Sequence, residues 1–188
     1  GWTTAAYGQN TNYVVTAGEI NMNTLYISNM KNDIKDNGKS KYYYVMLHEM
    51  GHVFGIGTLW DYGSNNFLTA NTYNNVSTNW YTGPNATAKY KDYFASTYTN
   101  LIYLPSENNG GGGTVDGHPE EGLNSYSTND RHYFNGTSNI FHPGLHHELM
   151  TGWANGPTLP LSKITIGCLE DLGYEVDYNR AHYYNPYD

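Results

Sequence analysis

The pentapeptide His48-Glu49-Met50-Gly51-His52, followed by Gly55 and Gly57, constrains this chain more than any other stretch. Lys41 to Phe54 holds no proline, and apolar residues recur at Val45, Met46, Met50, Val53 and Phe54. That spacing predicts one helix, ended by the two glycines. Positions i and i+4 share a helix face, so His48 and His52 present two imidazoles side by side. Such a pair suits one Zn²⁺ ion, and Glu49 between them is placed to serve as a general base. Gly51 inside the helix costs about 1 kcal/mol against alanine, which predicts close approach of another backbone there.

Two histidines do not complete a catalytic zinc site, which uses three protein ligands and keeps a position open. In the extended pattern HExxHxxGxxH the third histidine follows the glycine by three residues. Here that position is Thr58, so a ligand from a distant segment is required. The remaining histidines are His118, His132, His142, His146, His147 and His182.

The rest of the chain reads as one mixed domain. Residues 13–27 alternate weakly and predict short extended segments. Ser28 to Asp36 reads as a short helix or polar loop, and Asn37-Gly38 as a turn. Residues 61–90, rich in Asn, Thr, Gly and Tyr, read as loops, with a short helix around Ala86–Thr97. Leu101 to Leu104 is a short apolar run before Pro105. The four glycines Gly110–Gly113 have no following Lys-Ser/Thr and so read as a loop rather than a phosphate cradle. Pro160 to Leu172 predicts a second helix with Ser162 as N-cap and Gly173 as its stop.

Composition narrows the partners. Net charge is −8 and no basic patch stands out, which argues against nucleic acid. No apolar stretch approaches the roughly 20 residues that span a bilayer. Cys168 is the single cysteine and falls in an apolar helical pattern, as a core residue does. Sequons stand at Asn75, Asn85 and Asn135. Asp33, Asp36, Asp61, Asp92 and Asp116 lack EF-hand spacing, and calcium is considered only near the glycine loop.

Four segments, in order, make the chain resemble the leishmanolysin family of metzincin zinc peptidases. They are HEMGHVFGIGTLW at 48–60, GGGGTVDGH at 110–118, ELMTGW at 148–153 and LPLSKITIGCLEDLGY at 159–174. The resemblance implies His48, His52 and His118 as zinc ligands, Glu49 as general base, Gly55 as the structural turn and Met150 as the methionine floor beneath the metal. It implies an α+β fold of metzincin type, a single catalytic domain over residues 1–188. Residues 1–57 would form an upper subdomain with a twisted β-sheet and the active-site helix. Residues 58–117 would be the family's insertion and loops, and residues 118–188 a lower, irregular and helical subdomain beyond the cleft. The chain departs from the family at Pro119, where a tryptophan is common, and in a longer link from His118 to Met150. His142, His146, Glu120 and Glu121 therefore stand as other candidates for the third ligand.

The implied activity is zinc-dependent endopeptidase cleavage of a protein or peptide substrate. The substrate would lie extended against an edge strand, for which Gly18 to Asn23 is the candidate. The resemblance further implies an N-terminal propeptide or upstream fragment removed by processing, and a secreted or surface location. The competing expectation is a silent or self-processing zinc protein with a structural or surface-coat role, because fold alone does not guarantee activity.

Overall fold

Ser40 opens the helix that the histidine pattern requires. Its side chain accepts a hydrogen bond from the Tyr43 N–H at 3.2 Å and caps α2, Lys41–Val53. The helix ends in a Schellman motif: Ile56 N–H reaches the Gly51 carbonyl at 3.0 Å and Gly55 N–H the His52 carbonyl at 3.0 Å. Gly55 takes φ 106°, which glycine adopts without strain.

The computed structural model describes residues 2–7, 14–73, 76–108, 111, 113–121, 132–134, 140–154 and 156–187. The architecture is α+β. Strands β1 (Trp2–Tyr7) and β2 (Val15–Asn21) pair antiparallel, with Trp2 opposite Asn21. A short 3-10 turn at Thr24–Tyr26 and helix α1 (Ile27–Asn32) lead to α2. Then come β3 (Leu68–Tyr73), β4 (Val76–Tyr81), α3 (Pro84–Phe94) and β5 (Leu104–Pro105), the strands forming an antiparallel sheet in the order β3-β4-β5. A small ribbon of β6 (His132–Phe134) and β7 (Ile140–His142) precedes the last helix, α4 (Lys163–Asp171).

Strand β2 runs antiparallel along α2. A Cβ on Gly18 would lie 2.3 Å from Val53 Cγ1, so the strand backbone touches the end of the helix there. Met22, just past the strand, shares a cavity wall with Val45 near the start of the helix.

The core lies between α3, α4 and the turns that follow α2. Trp60, Tyr81, Tyr90, Phe94, Leu145, Met150 and Cys168 are buried together. Gly167 of α4 presses on α3, where an added Cβ would lie 2.7 Å from Ala86 Cα. The Asp171 carboxylate accepts from the Asn85 and Ala86 N–H groups at 2.8 and 3.1 Å and from the Tyr81 hydroxyl at 3.0 Å. It thereby supplies the anion that the start of α3 favours, because Gly83 at the N-cap has no side chain to do so. Asn85, one of the sequon positions, is thus engaged at a packed helix terminus, whereas Asn75 and Asn135 lie outside the described residues.

Three expectations are corrected. Residues 68–73 and 76–81 form paired antiparallel strands rather than loop, in register from Leu68 opposite Tyr81 to Tyr73 opposite Val76. Leu25 and Tyr26 are helical rather than extended, since the Asn23 side chain accepts from Leu25 N–H and turns the chain. Gly51 admits a side chain rather than a backbone, as a Cβ there would lie 2.5 Å from Met150 Sδ. The expected α2 agrees with the structure within one residue, while α4 begins at Lys163, three residues later than expected, because Ser162 caps it. Among the described residues no helix is long and apolar enough to cross a membrane.

Candidate metal centre

His48 and His52 project from one face of α2, and His118 meets them from a loop distant in sequence. Their Nε2 atoms lie 2.9 Å apart for His48–His52, 2.9 Å for His52–His118 and 3.2 Å for His48–His118. A tetrahedral zinc ion with Zn–N near 2.05 Å would need edges of about 3.3 Å, so the triangle is close to the size required.

Each ring is fixed from behind by a backbone carbonyl. His48 Nδ1 lies 2.8 Å from the Leu149 oxygen, His52 Nδ1 2.9 Å from that of Ile56, and His118 Nδ1 2.9 Å from that of Thr114. A carbonyl only accepts, so each Nδ1 carries the proton and each Nε2 turns a lone pair inward. Three converging lone pairs repel one another unless a cation lies between them. Burial favours the same neutral form. It lowers the pKa of His48 to about 4, aided by the neighbouring His52 imidazole. Burial, with His48 and His52 beside it, lowers that of His118 to about 3.

The local chain paths explain the convergence. The Schellman turn after α2 swings the Ile56 carbonyl back onto His52. Gly57, at φ 76°, lies against the next segment so closely that a Cβ would sit 2.1 Å from the Gly117 oxygen. His118 is held by an extension of the three-stranded sheet. Beyond β5, Glu107 N–H donates to the His118 carbonyl at 2.9 Å and Glu120 N–H to the Pro105 carbonyl at 3.0 Å. Ser106 and Pro119 form a bridge between these hydrogen bonds. Pro119 thus occupies a position where its missing N–H is not needed.

Met150 is fully buried and rests in the notch left by Gly51. Its turn is tied down by Glu148, a buried carboxylate whose oxygens accept from Met150 N–H at 2.6 Å, Ser162 N–H at 3.0 Å and the Thr165 hydroxyl at 2.6 Å. Sequence reasoning gave Glu148 no role. A glutamate two residues before the methionine was its one available signal.

The structure separates the other ligand candidates from the centre. His142 is buried, accepts the Ile102 N–H at 2.8 Å and packs edge-on to Trp80. His146 lies against His147, its ring tilted 39° to that neighbour. His132 has no described side chain. Glu120 and Glu121 join Glu107 in a separate carboxyl group whose ligand atoms lie within 4.8 Å of one another. Burial first, and the Glu107 carboxylate next, push Glu121 up to about 9, so this group carries a proton at neutral pH. Of the aspartates considered for calcium, Asp33 pairs with Lys35 and Asp116 accepts from Asn79. None belongs to a metal-competent group among the described residues.

A scan against protein-family models finds no match for the chain, and a search of curated proteins likewise finds none.

Proposed function

We propose that the chain is a zinc-dependent endopeptidase of the leishmanolysin type, with His48, His52 and His118 as ligands and Glu49 as general base. The observation that carries this reading is the triangle of inward Nε2 atoms built on a helix that also bears Glu49. Three neutral imidazoles match the donor set of an open zinc site, which leaves one position for water and substrate.

A zinc ion held there supplies Lewis acidity to the attacking water and to the scissile carbonyl. The rest falls to the chain. Glu49 removes a proton from the water as its oxygen attacks the carbonyl carbon. As the C–N bond breaks, Glu49 returns that proton to the departing amine. The three backbone carbonyls hold the ligand rings so that their lone pairs stay on target without reorganisation.

Zinc-loaded protein is expected to cut members of a broad peptide library, and Glu49→Gln to lose that cleavage while keeping one zinc per chain. If the loaded protein, free of any upstream segment, cuts nothing, the peptidase reading falls and a silent zinc protein takes its place.

A further inference from the structure

A pocket of about 380 Å³ opens between the turn that leads into α2, the segment that leads into α4 and the tail beyond α4. That size lies near the lower end of the roughly 300–1,000 Å³ range of small-ligand pockets. Its exposed wall on α2 is Tyr43, five residues before His48 and nine before His52. At 3.6 residues per turn, Tyr43 stands about 140° and 180° around the helix from them. The pocket thus opens on another face of α2 than the metal centre, and the proposed peptidase chemistry leaves it unused.

Hydrogen bonds within the chain hold the walls in place. Asn37 is fixed at both ends of its amide: Oδ1 accepts the Lys39 N–H at 3.2 Å, and Nδ2 donates to the hydroxyl of the buried Tyr44. Leu161 and His182 exchange two hydrogen bonds. His182 N–H donates to the Leu161 carbonyl at 2.8 Å, and Leu161 N–H donates to His182 Nδ1 at 3.1 Å. Because Nδ1 accepts, Nε2 of the neutral His182 ring carries the proton and is a donor. Lys39 Nζ stands 5.4 Å from the Tyr43 ring centroid, a cation–π distance that keeps the ammonium at the rim.

The chemistry of the walls selects the occupant. Apart from Pro160, every wall residue carries a polar group: the amide of Asn37, the ammonium of Lys39, the imidazole of His182, and the hydroxyls of Thr158, Tyr43, Tyr44 and Tyr183. A purely apolar guest would strip water from these groups and offer them no hydrogen bond in exchange. A pyranose matches them, because its hydroxyls meet the polar ends while its C–H face lies on a tyrosine ring. Tyr183 is 83% exposed and offers that ring. Lys39 is the one wall with a fixed charge, and no carboxylate is among the walls. In a chain of net charge −8 this is a local reversal of sign. An ammonium and an imidazole N–H at one pocket favour a guest that bears a carboxylate, held by charge-assisted hydrogen bonds.

We propose that the pocket walled by Lys39, Tyr43, His182 and Tyr183 binds one carboxylate-bearing sugar ring, the chemistry shared by the uronic and sialic acid residues of glycans. The chain would then hold acidic carbohydrate at a site apart from the metal centre. The proposal stands or falls independently of the peptidase reading, since its test involves neither zinc nor cleavage.

The test is a titration of the full ¹⁵N-labelled chain with methyl glucuronide, methyl sialoside, the neutral methyl glucoside and benzoate, followed by amide shifts. At least one of the acidic sugars is expected to move the signals of residues 37–39 and 182–183 and to saturate, and the tighter of the two identifies the glycan source. The glucoside should bind about tenfold more weakly than the preferred acid, a difference of the size that one charge-assisted contact supplies. Lys39→Gln should bring acid and glucoside to about equal affinity, and Tyr183→Ala should weaken every sugar by about tenfold. Both side chains are exposed, so neither change disturbs the core. The proposal is overturned if no sugar saturates, or if the glucoside binds the parent chain as well as the acids do. Tighter binding of benzoate overturns it in favour of an aromatic acid. Sugar affinities unchanged in both variants place the sugar elsewhere and overturn it as well.

Discussion

The Leu149 carbonyl oxygen lies 2.8 Å from His48 Nδ1, so the residue beside Met150 fixes the first histidine of the helix. The turn at Met150 therefore touches the histidine-bearing helix twice: its backbone orients the His48 ring, and its side chain fills the notch at Gly51. Glu148 anchors that turn to the start of α4, which links the last helix to His48 through three consecutive residues.

Gly51→Ala isolates this contact. Alanine gains about 1 kcal/mol of helix propensity. Its Cβ would lie 2.5 Å from Met150 Sδ, and overpacking of that kind costs about 1–3 kcal/mol. The variant is expected to be less stable in urea and to bind zinc more weakly. Met150→Ala should cost less stability in the Gly51→Ala background than in the parent, and a double-mutant cycle measures that coupling. Strict additivity would mean that the two residues do not press on each other.

The third ligand can be told from its competitors by pairing a metal titration with a stability measurement. His118→Ala is expected to weaken zinc binding more than about 100-fold, because losing an outer partner alone already costs 10–100-fold. His142→Ala should keep full zinc stoichiometry. It leaves the Ile102 N–H without its 2.8 Å acceptor in the interior, at a cost of about 1–3 kcal/mol. A loss of zinc in His142→Ala with retention in His118→Ala would reverse the assignment.

Gly57→Ala probes how the two loops meet. The residue sits at φ 76°, and its Cβ would lie 2.1 Å from the Gly117 oxygen. The neighbour is backbone and carries His118 next in the chain, so relief must come by moving that ligand. Zinc affinity is expected to fall further than in Gly38→Ala, a control at φ 78° with nothing nearby. Equal losses in the two variants would trace the effect to backbone strain alone.

Glu121 gives a pH dependence of defined sign. Burial first, then the Glu107 carboxylate, raise its pKa from 4.5 to about 9 in the folded chain. Below the unfolded value both states hold the proton and nothing is lost. As pH rises above 4.5 the unfolded chain releases the proton and the folded chain retains it, so stability falls until about pH 9. Urea midpoints measured from pH 5 to 9 should decline less in Glu121→Gln than in the parent. Parallel curves would show that the proton resides elsewhere.

What the sequence revealed and what it concealed follow from how local each feature is. The helix bearing His48 and His52 needed only its own periodicity and the glycines after it, and Ser162 and Gly173 bounded α4 in the same way. The pairing of β3 with β4 was hidden because the strand-disfavoured Ala70, Asn71 and Asn79 interrupt the Thr, Tyr, Val and Trp that favour a strand. His118 could be placed only through the resemblance, because the sheet extension that holds it is a backbone pairing of Glu107 with His118 and of Pro105 with Glu120. The carbonyls behind the three rings carry no residue-specific signal, and Glu148 shows its role only once Met150, Ser162 and Thr165 surround it.

The separation of the ligands along the chain has a consequence for how the protein matures. His118 lies 66 residues beyond His52, and the carbonyl behind His48 lies 101 residues beyond it. A nascent chain that has exposed only the HEMGH helix can offer a metal ion two loosely held rings. If the cluster binds zinc as proposed, tight capture must wait for the sheet and the Met150 turn, and metal uptake would report completion of the tertiary structure. By mass action a bound ion would then stabilise that structure, by about 2.7 kcal/mol when free metal is a hundred times its dissociation constant. A chelator should accordingly lower the melting temperature of the whole domain in a single cooperative step.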